Sequence, residues 1–171
     1  EYANNVFHGG FVISNTSSAL FYNNTFSGGV NTNTFSGNVY SNTFGGNVNN
    51  NTFSGGNVTN NTFSNYVTNN TFSGEVNNYT FSGSYVYSNT FSGYVYSNTF
   101  SGNVSINTFS GDVTSNTFSG YVYNNTFSGN VYNNTFTYTG NLRYLTITDD
   151  LQNKTIDDVT YPFLFNTDYK K

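Results

Sequence analysis

Cysteine, methionine and tryptophan are absent from the 171 residues, and proline occurs once. Without Cys there are no disulfides, no thiolate metal sites and no Cys nucleophile. Cations are almost as scarce. Arg143, Lys154, Lys170 and Lys171 face eight acids, giving a net charge of −4, and that balance lacks the electrostatic footprint of a nucleic-acid binder. Charged residues make up 7% of the chain, against about a quarter in ordinary soluble domains, so uncharged polar groups must form the surface. No apolar run approaches the roughly 18 residues of a membrane helix. Glu1 opens the chain without a Met or a signal-peptide hydrophobic stretch, and the sequence reads as a processed product or a fragment.

What is present is aromatic: 20% of residues, from 18 Phe and 16 Tyr. That much burial potential argues against a disordered polar chain. Phe recurs at Phe26, Phe35, Phe44, Phe53, Phe63, Phe72, Phe81, Phe91, Phe100, Phe109, Phe118, Phe127 and Phe136, in steps of nine except for ten at Phe53–Phe63 and Phe81–Phe91. The unit is Asn-Thr-Phe-Ser-Gly-x-Val-x-x, and each Val precedes the next Phe by five residues. Three segments follow. Residues 1–22 hold degenerate copies, in which Ser17 takes the Phe position and Phe21 the Val position. Residues 23–136 carry the regular repeat, and 137–171 form a non-repetitive tail.

Gly, Asn, Thr and Val fill every unit and are weak helix formers. Strand alternation from Phe through Gly to Val places those three on one face, so each unit is expected to be one strand and one corner. The Asn-Asn or Ser-Asn pair before Thr tolerates the left-handed backbone of a turn. The extra residue of the ten-residue units (Gly56 or Asn57, Ser84 or Tyr85) reads as a β-bulge. The fold class is therefore all-β, a parallel β-solenoid with stacked Phe, Val and Asn ladders. An antiparallel β-meander is the alternative, but Asn-Gly, the preferred tight-hairpin pair, is missing from this Asn-rich chain. Tyr66, Tyr94 and Tyr121 occupy equivalent places three units apart, as do Glu75, Asn103 and Asn130. This spacing predicts a three-sided coil of about 27 residues. Tyr40, Tyr96 and Tyr123 fall in the same class, so these six tyrosines are expected to share one outward face.

The string Asn-Asn-Thr-Phe-Ser-Gly-Asn at 124–130 resembles coils of the right-handed parallel β-helix superfamily with its pectate-lyase-like members, over roughly residues 23–136. The resemblance implies Asn ladders at a turn. Members of that superfamily usually show the string once per coil of twenty-odd residues, whereas here it returns every nine. Its enzymes and sugar binders carry acidic and basic residues on one outer face, and none can be matched here.

Chemistry-bearing residues are few. Glu75 and Asp112 are the only carboxylates in the regular repeat, and the three-sided arrangement puts them in different columns. Acid–base catalysis needs two such groups together, so solvated substitutions at a variable position are the simpler reading. His8 is the only His and sits in a degenerate unit, as a turn or cap residue. No nucleophile triad, phosphate loop or metal-spaced cluster exists, so the chain reads as a non-enzyme without a cofactor. In the tail, Tyr144–Thr148 and Val159–Phe165 read as strands. Asp149, Asp150, Asp157 and Asp158 offer oxygens to Ca²⁺ but suit strand-end turns better. The tail is expected to cap its own solenoid or complete a neighbour's.

The leading expectation is a structural subunit of an extracellular or cell-surface filament, with copies of itself as partners. A carbohydrate-binding adhesin module is the alternative, with outward Tyr rings stacking on polysaccharide. An ice-binding solenoid comes third, from the Thr-x-Ser pattern. Asn-x-Ser/Thr sequons at Asn15, Asn23, Asn50, Asn57, Asn60, Asn69, Asn78, Asn103, Asn124, Asn133 and Asn153 would suit a secreted glycoprotein, although a chain this rich in Asn, Ser and Thr produces them by chance.

Overall fold

The computed structural model describes residues 1–83 and 85–136, together with strands at Thr146–Ile147, Lys154–Ile156 and Val159–Tyr161. It is an all-β parallel solenoid of about seven turns. Each nine-residue unit supplies two strands of two or three residues: one at Thr-Phe, one at Val and the residue after it. Two units close one coil, so four parallel sheets of eight, ten, seven and eight strands run along the axis. Around the coil the sides alternate, Phe, Val, Phe, Val. No helix is long and apolar enough to cross a membrane among the described residues.

The coil is therefore about 18 residues, not 27. Phe81 pairs with Phe100 and Phe100 with Phe118 on one Phe side, while Phe91 pairs with Phe109 on the other. The reason lies at glycine. Instead of continuing the strand from Phe to Val, the chain bends at Ser-Gly, so each unit has two corners and turns through half a coil. At this bend successive coils touch backbone to backbone: a Cβ on Gly111 would sit 2.4 Å from the Gly93 carbonyl oxygen. A glycine within a strand pattern marks such an approach. The extra residue of the first ten-residue unit also falls there. Gly56 lies at the bend with open space around its Cα, and Asn57–Thr59 begins the next strand. It enlarges a corner and does not bulge a strand. The second such unit has Ser84 at this point, outside the described residues.

The other corner is the polar pair. Its first residue adopts a left-handed backbone in every coil, from Asn4 (φ 56) to Asn133 (φ 55). Its second residue is an Asn, buried from Asn24 onward except where Tyr79 replaces it, and this Asn satisfies the corner's backbone. Asn89 donates to Asn107 Oδ1 from its backbone N–H (2.9 Å) and from Nδ2 (3.0 Å). Asn107 Nδ2 in turn donates to the Val86 carbonyl one coil back (2.9 Å) and to Ser105 O (3.0 Å). The arrangement repeats from Asn15 to Asn125 in one column and from Asn5 to Asn134 in the other, broken only at Tyr79.

The core is a pair of Phe columns walled by Val. Phe7, Phe26, Phe44, Phe63, Phe81, Phe100, Phe118 and Phe136 stack in one; Phe35, Phe53, Phe72, Phe91, Phe109 and Phe127 stack in the other. All thirteen repeat phenylalanines are buried. Centroid spacings of 4.7–5.2 Å match the distance between hydrogen-bonded strands, so the backbone ladder sets an offset-stacked geometry that aromatic rings favour. The degenerate units join the same ladders, with Ser17 opposite Phe35 and Phe21 opposite Val39. At the other end Ile147 takes register with Phe127 and Ile156 with Phe136. The last pair, Lys154–Ile156 with Val159–Tyr161, is antiparallel.

Candidate functional site

With Phe, Val and Asn inside, the outer surface is written by what is left of each unit. On the two Phe sides the outward residue is Thr. Thr25, Thr43, Thr62, Thr80, Thr99, Thr117 and Thr135 stand in direct register on one. Thr16, Thr34, Thr52, Thr71, Thr90, Thr108 and Thr126 do so on the other. Two residues on, an exposed Ser follows most of them, as at Ser82, Ser92, Ser101 and Ser110. Thr-x-Ser therefore occupies two alternate sides of four.

The two Val sides carry the variable residues. Pairing every second unit divides the six candidate tyrosines: Tyr40, Tyr94 and Tyr96 flank Val39 and Val95 on one Val side, and Tyr66, Tyr121 and Tyr123 flank Val67 and Val122 on the other. They do not form one face. Tyr40 stacks on Tyr22 at 5.4 Å, and Tyr66 on Tyr85 at 5.7 Å. Tyr85, Tyr87 and Tyr132 are exposed too. Sequence reading passed over these three because it sorted tyrosines by every third unit.

The same pairing places Glu75, Tyr94 and Asp112 in one column, where the three-sided arrangement had separated the two acids. Tyr94 intervenes, so the carboxylates stand two strand spacings apart, each spacing about 4.8 Å. Asp112 Oδ1 accepts the Asn130 N–H at 2.9 Å. Tyr96 donates to Glu75 Oε2 at 3.4 Å and accepts from Asn77 Nδ2 at 2.8 Å. Burial, then the Glu75 charge and hydrogen bond, raise its phenol above the ordinary value. Tyr22 is raised by its 2.8 Å hydrogen bond to Glu1 and by that carboxylate's charge. Among the described residues no three metal-ligating side chains cluster, and His8 is exposed at a corner of the first coil. Asp149, Asp150, Asp157 and Asp158, and the tail's capping role, lie outside the described residues.

Comparison with known protein families, curated proteins and solved structures returns no match.

The remaining distinctive surface is the first coil. Its four strands, Tyr2–Ala3, Val6–Phe7, Val12–Ile13 and Thr16–Ser17, each end a sheet and are bonded on one edge. Phe11 is 70% exposed, Val6 54%, Ile13 51% and Tyr2 47%.

Proposed function

We propose that this chain is a structural unit of an extracellular or cell-surface fibre, in which solenoids associate end to end through in-register strand edges. The observation carrying this reading is the first coil, where all four sides present an open edge beside exposed Phe11, Val6 and Ile13. Such an edge templates further strands unless charge, proline or a covering segment blocks it, and residues 1–18 contain one charged side chain, Glu1. An extracellular setting is supported by the near absence of Lys and by sequon asparagines exposed at left-handed corners, such as Asn23, Asn60, Asn69 and Asn124. The test is electron microscopy of the purified chain at physiological salt. Uniform filaments with an axial repeat near 4.8 Å are the expected result, and discrete monomers at all concentrations overturn the reading.

A second reading, ice binding, is favoured by the two registered Thr columns. They set hydroxyl and methyl groups at a constant strand spacing, a regularity suited to a crystalline surface. Thermal hysteresis that falls on replacing Thr80 and Thr99 by Tyr supports it, and freezing unaffected by the native chain removes it. A polysaccharide lying along one side would meet only three of the six candidate tyrosines, which makes the adhesin reading the least supported of the three.

A further inference from the structure

Ser17 breaks a column of rings. It stands in register under Phe35, which stacks on Phe53 at 5.1 Å, and where the pattern calls for another ring there is only a hydroxymethyl group. The space left is a half-open pocket of about 280 Å³ in the first coil, lined by Tyr2, Phe7, Val12, Phe21, Phe26 and Phe35 together with Asn15, Thr16, Ser17 and Thr34. Its walls are held by aromatic contacts of their own. Phe21 meets Phe35 edge-on at 5.2 Å and stacks on Tyr2 at 4.8 Å, while Phe7 stacks on Phe26 at 4.8 Å. The vacancy is thus bounded by packed rings and is not a slack loop.

We propose that this vacancy is a binding site for a free single-ring aromatic molecule of the phenol class, which completes the interrupted column by stacking under Phe35. Three features carry the assignment. The half-open space of about 280 Å³ is large enough to admit a single ring, which needs roughly 150 Å³ when fully enclosed. The walls are aromatic, and the column that Ser17 interrupts favours a flat ring in offset contact. One polar handle is in place: Ser17 Oγ accepts the Ala19 N–H at 3.2 Å, which leaves its own proton to donate to a phenolic oxygen. The pocket opens in the first coil, where end-to-end association would cover it, so it is tested on the monomeric chain, and an absence of fibres leaves it standing.

The experiment is titration of the full chain with phenol and with cyclohexanol, which matches phenol in polar group and approximate size but is not flat. Chemical shifts of the Val12 methyl groups and the Phe35 ring are followed, with calorimetry alongside. Saturable binding of phenol at least ten-fold tighter than cyclohexanol, with shifts confined to the cavity lining, is expected. Ser17→Phe supplies the ring from the chain itself, so it should abolish phenol binding and raise the thermal midpoint. Ser17→Ala should keep the cavity and weaken phenol several-fold through loss of the donor. Were Ser17→Phe to fold poorly, the Ser17→Ala arm and the shift map still decide. Non-saturable shifts scattered over Tyr66, Tyr94 and Tyr121, or undiminished binding by a folded Ser17→Phe, would overturn the assignment. So would concentration-dependent dimers that phenol dissociates, because the vacancy would then belong to a side chain of a second copy.

Discussion

Among the described residues, fifteen corners ask one residue each to adopt a left-handed backbone, and eight of them answer with Asn. Asn reaches this region easily because its short polar side chain bonds locally. Thr32 (φ 59) and Ile106 (φ 57) do not suit it, since a β-branched Cβ crowds the carbonyl there. Ile106 is also 45% exposed, so its side chain gains little burial in return. Ile106→Asn is expected to stabilise the fold by about 1 kcal/mol, read as a higher urea midpoint with an unchanged slope. A loss of stability would mean that Ile106 packs more than its exposure suggests.

Tyr79 is the residue that departs furthest from its ladder. It replaces the buried Asn of its column, leaves Asn61 without the Oδ1 acceptor supplied at other rungs, and turns its ring into the core, 5.6 Å from Phe63 and Phe81. Its hydroxyl is buried without a hydrogen bond of good geometry among the described residues. Burial pushes its phenol well above the ordinary value, and the nearby Asn61 amide offsets part of that. Unfolded tyrosine loses its proton near pH 10, whereas folded Tyr79 keeps it to higher pH. The folded state then binds the extra proton, so stability is intact below about pH 10 and falls as pH rises beyond it. Tyr79→Phe should therefore raise stability by about 1–3 kcal/mol at pH 8, by removing a buried unpaired hydroxyl, and flatten the alkaline decline in urea titrations at pH 8 and pH 11. Identical declines in both proteins would place the alkaline sensitivity elsewhere.

At the scale of one strand and corner, two kinds of rung hold coils together, and their losses should differ. Phe100 is fully buried between Phe81 and Phe118, each 4.7 Å away. Phe100→Ala opens a cavity in a core that cannot collapse without bending two ladders, and should cost about 3–5 kcal/mol. A cost under about 1 kcal/mol in equilibrium unfolding would contradict the buried position of the ring. Asn107→Ala removes no comparable apolar area, yet leaves the buried Asn89 backbone N–H without its acceptor, at about 1–3 kcal/mol.

This is also the scale at which the sequence was most and least legible. The Phe column, the Val walls and the Asn corner were readable because each occupies a fixed offset in a near-invariant unit. The second corner was missed at Ser-Gly, where alternation alone reads Phe-Ser-Gly-x-Val as one strand. The contact that bends it joins Gly111 to Gly93 of another coil, which no local window contains. With one corner assigned to each unit, the three-unit spacing of Tyr66, Tyr94 and Tyr121 then set the coil length, the single tyrosine face and the separation of Glu75 from Asp112. The Phe, Val and Asn ladders themselves are identical whether units stack every second or every third. Only the residues at variable positions, the tyrosines and the Glu75, Asn103 and Asn130 series, break that symmetry, and their three-unit spacing does not follow the coil.

For the whole molecule, a solenoid's stability is close to a sum over coils and the contacts between neighbours, so the number of units per coil governs which positions can ever meet. A chain with no cysteine of its own allows this to be read by cross-linking. Tyr85 and Asn103 are register partners on adjacent strands of one Val side, at the strand spacing of about 4.8 Å and inside the Cα range a disulfide spans. Asn103 and Asn130 precede Val104 and Val131, which belong to different sheets. The double variant Tyr85→Cys with Asn103→Cys should oxidise to an intramolecular disulfide, seen as lost free thiol and faster migration on a non-reducing gel. Asn103→Cys with Asn130→Cys should stay reduced under the same conditions. A three-unit coil inverts both results, because Asn103 would then lie directly beside Asn130, and the four-sided architecture would be wrong.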